Sequence, residues 1–346
     1  MIKVTVISPA YNHEQFISQC IDSVLAQTFQ NWEMIIVNDG STDRTEEIIK
    51  RYRDSRIKYF YQKNQGILRL GQTYNKILDM AQGQIAAVLE GDDFWPSDKL
   101  ASLVPAFDDP EIMVAYGFAR LVAADGKKKN FTIPTSRHLN KFPRSYFNNE
   151  PLGIAACMMA DSEVRTFTFP CATMIRISAL KKIGGFQSVS GLPFIDYPTF
   201  MNLALQGKYH FIPKVTGYWR QHAASNTQTR NEDASNAILR QFALGFVKSH
   251  KISLPLSLIS RSTIEKSWEY LSQDNARYLG RKLLLAKRWP AARGQFRKII
   301  KSEKHFSKKI VAIAGYLSSW LHRDIEWIFS LAGRVTIKEL LPVAKK

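Results

Sequence analysis

The chain of 346 residues has only three cysteines, and they form no CxxC pair. This odd, unpaired set argues against a disulfide framework and a cysteine zinc site, and it favours a reducing compartment. No run of about 18 apolar residues occurs, so no membrane-spanning helix is expected. The opening MIKVTVISPAYN has too short an apolar stretch for a signal peptide. Together these absences predict a folded cytoplasmic protein.

Glycine-rich phosphate motifs are also missing, since the chain has no GxGxxG and no GxxxxGK[ST]. Neither a dinucleotide site nor a P-loop is therefore expected. Acidic residues are scarce beside basic ones, 30 against 48, for a formal net charge of +18. Most of the excess lies in residues 231–346, which hold 22 Lys and Arg against 9 Asp and Glu. Such a balance predicts nucleic acid, an anionic membrane or an anionic ligand as a partner.

The first hundred residues alternate between apolar strands and helix-like segments. Strands are predicted at 4–8, 33–37, 57–61 and 85–89, with helices between them. This alternation predicts an α/β fold of Rossmann-like type, with a doubly wound, mostly parallel sheet. A hairpin is expected around Asp125-Gly126, and the rest of 108–168 has little periodicity. Two further strands are predicted at 209–212 and 215–220. After about residue 231 strand signals nearly vanish, so a C-terminal helical region is expected.

The stretch LEGDDFWPSDKL, residues 89–100, places three carboxylates in four positions directly after an apolar strand. Glu90, Asp92 and Asp93 repel one another unless a cation or a cationic partner lies close by. Strand ends of open α/β sheets bind ligands, and a hard cation with oxygen ligands would relieve this repulsion. A plainer alternative is that the acids favour the dipole of the helix that begins near Pro96.

Two other predicted strands also end in polar loops, SPAYN at 8–12 and NDGSTD at 38–43. A carboxylate such as Asp39 can accept the N3–H of a uracil or thymine ring, and Tyr11 can stack on that ring. The acids after the fourth strand can hold a divalent ion against a diphosphate. The three strand ends therefore predict a nucleotide site.

The motifs PAYN, NDGSTD and EGDD occur in one chain, within residues 6–45 and 64–100. In this combination the sequence resembles the family 2 glycosyltransferases of GT-A fold, and the likeness continues thinly to about residue 225. The resemblance implies an inverting, metal-assisted sugar transfer from a nucleotide-sugar, expected to be UDP-linked, with Mn²⁺ or Mg²⁺ as cofactor. The acceptor would be a glycan or a lipid-linked saccharide in surface polysaccharide biosynthesis.

The resemblance also implies roles for particular residues. The nucleotide would be bound by Pro9, Ala10, Tyr11, Asp39, Asn75, Glu90, Gly91 and Arg220. Asp92 would be the direct metal ligand, with Glu90 and His222 as further candidates. Asp93 would orient its loop or the donor sugar. Asp196 would be the catalytic base, which deprotonates the acceptor hydroxyl.

Several positions depart from the family pattern. Glu90 stands where the family usually has Asp, and a water between this longer side chain and the cation is one consequence. Tyr74 stands where many members have Arg, so Arg69 or Lys63 would have to supply the positive charge.

Some of the assigned residues have a plainer interpretation. Asp196 is the one acid kept from the family's Glu-Asp pair, and it also suits a helix N-cap. His222 near a predicted strand end would serve as an ordinary structural residue. If these roles fail, the chain is a binding protein on an inactive transferase fold. Within the enzymes, a thymidine-diphosphate deoxysugar donor is the alternative, because Asp39 does not distinguish uracil from thymine.

These inferences divide the chain into a GT-A catalytic domain, residues 1–230, and a basic helical region, residues 231–346. Residues 1–107 would bind the nucleotide-sugar, and residues 108–230 would face the acceptor.

In the helical region, apolar residues recur at three- and four-residue steps and form one helical face. They are Ile310, Ile313, Leu317, Trp320, Leu321, Ile325, Ile328 and Leu331, with Lys298, Lys301, Lys304, Lys308, Lys309, Arg323 and Lys345 nearby in sequence. This face would either pack on other helices or lie on an anionic bilayer, at the inner face of the cell membrane. Nucleic-acid binding is not expected, because no known motif accompanies the charge.

Overall fold

The computed structural model describes residues 3–164, 167–225, 232–302 and 306–326. The chain divides into two compact units, residues 1–264 and residues 265–346. The first unit contains the sheet, and the described part of the second is helical. The boundary predicted near residue 230 stays a prediction.

Eight strands form the sheet of the first unit. They are β1 Val4–Ala10, β2 Trp32–Asn38, β3 Ile57–Tyr61, β4 Ile85–Val88, β5 Ile112–Ala123, β6 Lys128–Ile133, β7 Thr173–Arg176 and β8 Lys208–Gln221. Their order is β3-β2-β1-β4-β7-β5-β6, and β8 pairs with β5. Strands β1 to β4 pair in parallel, whereas β7 is antiparallel to both of its neighbours. The predicted α/β fold with a mostly parallel sheet and C-terminal helices is therefore confirmed.

In the first hundred residues the helices follow the strands in the predicted alternation, and the other helices of the described chain are given with them. They are α1 Ile17–Leu25, α2 Thr45–Ile49, α3 Leu70–Met80, α4 Lys99–Leu103, α5 Ser136–Lys141, α6 Arg144–Phe147, α7 Ile154–Ala160, α8 Ile177–Lys182, α9 Asp196–Leu203, α10 Glu232–Ser249, α11 Arg261–Leu285, α12 Trp289–Ser302 and α13 Phe306–Trp320. None of the described helices is both long enough and apolar enough to cross a bilayer.

The central strands are apolar because they are covered on both faces. Every residue of β1, β2 and β4 is buried, as expected for parallel strands with helices on each side. Helix α1 turns Ile17, Cys20, Ile21 and Val24 inward, a spacing of three and four residues that gives one buried face.

The chain order of the sheet reverses beside β1, which lies between β2 and β4. Loops leave such a switch point in opposite directions and open a crevice at the carboxyl ends of the strands. The polar loops after β1, β2 and β4 therefore meet at one edge of the sheet.

The middle of the chain is more regular than its sequence indicates. The hairpin predicted at Asp125-Gly126 joins β5 and β6. The two strands predicted within residues 209–220 are one strand, β8, whose register to β5 shifts at several points. Such bulges interrupt the period-2 pattern on which the prediction depended.

Candidate active site

A cavity of about 820 Å³ opens where β1, β2 and β4 end. Eight predicted site residues line it, namely Pro9, Ala10, Tyr11, Asp39, Glu90, Asp92, Asp196 and His222. The other four, Asn75, Gly91, Asp93 and Arg220, are not among its lining residues. The cavity therefore brings together acids from the ends of β2 and β4 and from helix α9.

The loops after β1 and β2 are held together by hydrogen bonds between their motif residues. Asn12 has a positive φ of 54°, and its side chain accepts the backbone N–H of Thr42 at 2.8 Å. Its own N–H donates to Ser41 Oγ at 2.9 Å. Gly40 has a φ of 71°, and a Cβ there would lie 2.6 Å from the backbone nitrogen of Asn64. Much of the NDGSTD motif therefore shapes the end of the cavity at Asp39 rather than facing it.

Asp39 is held at that end by its neighbours. Its Oδ1 accepts hydrogen bonds from Gln62 Nε2 at 2.6 Å and from the backbone N–H of Gln65 at 3.1 Å. Its Oδ2 accepts the same Gln65 N–H at 3.3 Å. Because a carboxylate has about four acceptor sites, Asp39 retains capacity for a base N–H.

The three carboxylates of the acidic turn after β4 have different pKa shifts. Burial, Asp92 and Asp196 raise the pKa of Glu90 to about 7, against a hydrogen bond from Tyr74 that lowers it. Burial, with Asp92 and Glu90 nearby, raises the pKa of Asp93 well above its usual value. Burial would also raise the pKa of Asp92, but His13 and His222 outweigh it and keep that pKa low. Asp92 is therefore the carboxylate of this turn whose charged form is favoured by its surroundings.

The plainer interpretation of these acids does not fit the structure. Helix α4 begins at Lys99, with Asp98 at its N-cap position. Glu90, Asp92 and Asp93 thus lie six or more residues before the helix, beyond the first turn in which the dipole acts.

Arg220 lies against the back of the acidic turn. Its Nε donates to the backbone oxygen of Asp92 at 2.8 Å, and its backbone N–H donates to Asp93 Oδ1 at 2.8 Å. Its remaining guanidinium nitrogens bond to Ala124 O and Gln19 Oε1, and the side chain is 2% exposed. Arg220 therefore positions the turn, and the nucleotide contact predicted for it stays a prediction.

Asn75 and Gly91 also support the site from behind. The Asn75 amide bonds to both the N–H and the C=O of Phe186, at 2.7 and 3.0 Å. A Cβ on Gly91 would lie 2.5 Å from Nδ1 of His13, so only glycine lets His13 pack there. The direct nucleotide contacts predicted for Asn75 and Gly91 thus have no counterpart in the lining of the cavity.

His222 and His13 flank Asp92. His222 Nε2 lies 3.1 Å from Asp92 Oδ2, and its ring packs on Phe16. His13 was missed at the sequence level, although it directly follows the PAYN motif. It lines the cavity, and burial lowers its pKa against the raising effect of Asp92.

Asp196 lines the cavity from helix α9. It is the first residue of α9, whose N-cap is Ile195 and has no side-chain capping bond. An N-cap role therefore does not explain Asp196. Its carboxylate is close enough to Glu90 to raise the pKa of that residue.

No Lys or Arg occurs among the described residues that line the cavity. Arg69 and Lys63, the cations suggested from sequence, are not in its wall. Ligand oxygens of Glu90, Asp92 and Asp93 lie within 4.8 Å of one another, and such a set of carboxylates suits a hard divalent cation. A cation at these acids would offset their repulsion of a diphosphate in the cavity.

The fold and the site together define a glycosyltransferase of GT-A type. The family model "Glycosyl transferase family 2" matches residues 5–184, and the chain belongs to that family. The glycosyltransferase WfgD of Escherichia coli, named as a UDP-Glc:α-D-GlcNAc-diphosphoundecaprenol β-1,3-glucosyltransferase, is 30% identical over 167 residues, which are 48% of this chain and 64% of that protein. The chain spans about two thirds or less of the length of the curated relatives that it matches.

Two solved structures share the fold at low identity. TarS 1–349 of S. aureus, in complex with UDP-GlcNAc, is 17% identical, with a TM-score of 0.52 over 96% of this chain and 93% of that one. The mannosyltransferase PcManGT of Pyrobaculum calidifontis, in complex with GDP-Man and Mn²⁺, is also 17% identical. Its TM-score is 0.53 over 92% of this chain and 80% of that one.

Proposed function

We propose that the protein transfers a sugar with inversion from a UDP-sugar to a glycan or lipid-linked saccharide of surface polysaccharide biosynthesis. The main observation in support of this proposal is that Asp39, Asp92 and Asp196 line the same cavity. Asp39 binds the pyrimidine base, and Asp92 holds a divalent cation. Asp196 removes the proton of the acceptor hydroxyl as the diphosphate leaves from the other face. The names of WfgD and TarS, with their UDP-linked sugars, support this donor class.

The acceptor side of the proposed site is apolar. Residues Leu121, Phe131, Ile133, Phe169 and Trp219 line the part of the cavity that comes from β5, β6, β8 and the loop before β7. The Trp219 and Phe169 rings lie 4.4 Å apart. Aromatic faces of this kind suit the apolar face of a sugar ring. They support a saccharide acceptor.

A donor panel tests this function. Nucleoside diphosphate release is expected from a UDP-sugar, measured by mass detection, and UDP or TDP should compete with it. CDP should compete about 10-fold less well or worse, because cytosine has no N3–H for Asp39 and a lost bond to a charged group costs about that much. Asp39→Asn should reduce the difference between UDP and CDP.

Two outcomes of the panel would contradict the proposal. Preference for TDP-linked deoxysugars over every UDP-sugar would assign the alternative donor. Tight nucleotide binding without turnover of any donor and acceptor would assign a binding protein on this fold.

We also propose a peripheral site on an anionic membrane, formed by the exposed side of α13. Six apolar side chains make up this ridge: Phe306, Ile310, Ile313, Leu317, Trp320 and Leu321, which are 40 to 80% exposed. The opposite side of α13 packs on α12, where Ala312 and Phe296 are buried. Ile325 is buried in the same cluster, so it does not belong to the predicted face, and Ile328 and Leu331 lie outside the described residues.

Basic side chains border this ridge. The guanidinium of Arg293 lies 4.1 Å from the Trp320 ring centre, and Arg297 donates to Tyr316 Oη at 3.2 Å. Residues 286–323 contain ten Lys and Arg and a single acid. Each basic residue near an anionic surface contributes about 1 kcal/mol. The ridge therefore combines the two attractions that interfacial helices use.

Vesicle sedimentation tests whether the ridge binds an anionic membrane. The intact chain is expected to bind vesicles that contain phosphatidylglycerol, to ignore pure phosphatidylcholine, and to be released by high salt. The double variant Leu317→Ser/Trp320→Ser should bind about 10-fold less, because it removes two insertable side chains. Removal of everything after residue 231 is a poorer test, because α10 contacts α7 inside the first unit.

A matched control is available in the first unit. Ile252 and Leu258 are 93% and 51% exposed, and Ile252→Ser/Leu258→Ser should leave vesicle binding unchanged. If the intact chain ignores anionic vesicles at low salt, or if the ridge variant only abolishes a dimer, the ridge is a protein interface instead.

A further inference from the structure

The two departures from the family pattern, Tyr74 and Glu90, meet in the structure. The Tyr74 hydroxyl donates to Glu90 Oε1 at 2.6 Å. Tyr74 belongs to α3, is fully buried and does not line the cavity, whereas Glu90 does. One carboxylate oxygen of Glu90 is thus fixed from behind, and the other remains for a ligand.

The hydroxyl of Tyr74 is held in place by its surroundings. The Tyr74 ring packs on Phe186 with 5.0 Å between ring centres. The next residue, Asn75, bonds to the backbone of Phe186 on both sides. Gly185 leaves room for this, since a Cβ there would lie 2.4 Å from Asn75 Oδ1. The segment before α9 and helix α3 therefore fix the donor of this hydrogen bond together.

The contact depends on the length of the side chain at position 90. Aspartate is shorter than glutamate by one carbon–carbon bond of about 1.5 Å. From the same backbone, an aspartate oxygen would therefore lie about 4 Å from the Tyr74 hydroxyl, too far for a hydrogen bond.

We propose that Tyr74 is a positioning residue, which holds Glu90 so that its second carboxylate oxygen meets a ribose hydroxyl of the nucleotide or a metal-bound water. This role rests on the proposed sugar transfer. Partners of this kind orient ligands and change affinity about 10- to 100-fold when they are removed.

A double-mutant cycle tests the role, with UDP as the probe in saturating Mn²⁺ and calorimetry as the measurement. Tyr74→Phe and Glu90→Asp should each weaken UDP binding about 10-fold. The double variant should be no weaker than either single variant, because both changes remove the same contact. With an active donor, KM should rise by this factor, and kcat should change much less.

Tyr116→Phe is the matched control. Tyr116 is equally buried, and its hydroxyl donates to the backbone oxygen of Phe147 at 2.8 Å, away from the cavity wall. This variant should lower the melting temperature without changing UDP affinity. Additive losses in the cycle, or unchanged affinity in Tyr74→Phe, would overturn the positioning role alone. A wild type that binds neither UDP, TDP nor GDP would overturn the proposed function and this role with it.

Discussion

Asp92→Asn is expected to abolish activity, with a loss of about 10³-fold or more, because it removes the charged carboxylate of the acidic turn. Its two neighbours cannot replace it. Glu90 has a pKa raised to about 7, and Asp93 is 3% exposed and accepts the N–H of Arg220. Electrostatic stabilisation of departing charge is commonly the largest single contribution to catalysis, and here it depends on a cation held at Asp92.

Activity assays with added Mn²⁺ or Mg²⁺, and with excess chelator, measure this dependence. Chelator should stop the wild type, and either added ion should restore it. Asp98→Asn is a suitable control, because Asp98 lies in the same stretch but pairs with Lys214. Full activity in chelator would refute the metal role, and so would a normally active Asp92→Asn.

The parts of the site whose position follows from the sequence alone are those in which a strand end carries its own functional group. Asp39 and Asp92 each follow a buried strand by a few residues, so the parallel sheet alone brings them to one edge. Asp196 begins a helix far along the chain, so the resemblance to the family, and not the strand pattern, indicated it.

Contacts between distant segments could not be predicted in this way. Arg220 looked like a cation for the diphosphate, but the strand β8 places its guanidinium behind the acidic turn. Tyr74 looked like a loss of positive charge, whereas it is a partner for Glu90. In each case the sequence shows the type of group but not the direction in which its side chain points.

In the second unit, the sequence of helix α13 likewise does not show in which direction its side chains point. Its apolar periodicity predicts one face, yet the buried side is the one with small residues. Gly315 faces the Phe296 ring so closely that a Cβ would lie 2.4 Å from Phe296 Cζ. Close packing through small residues leaves the larger apolar side chains exposed, which periodicity alone does not reveal.

Asp196→Asn is expected to separate binding from chemistry. A single-displacement transfer needs one base on the acceptor side, and Asp196 is the acid that helix α9 contributes to the cavity wall. The variant should bind UDP nearly as well as the wild type, because Asp39 and Asp92 of the proposed nucleotide site are unchanged. Its turnover should fall by about 10²-fold or more, the usual range for loss of a general base.

Stereochemistry gives an independent check of the same assignment. With the base on one face and the diphosphate departing from the other, an α-linked donor must give a β-linked product. NMR of the anomeric proton shows the configuration of the product. Calorimetry of UDP binding, together with a rate assay, shows whether Asp196→Asn loses turnover but keeps affinity. Asp54→Asn is the control for turnover, because Asp54 pairs with Arg56 away from the cavity. A retained configuration would require a second nucleophile on the donor side, and near-normal turnover of Asp196→Asn would place the base elsewhere in the wall.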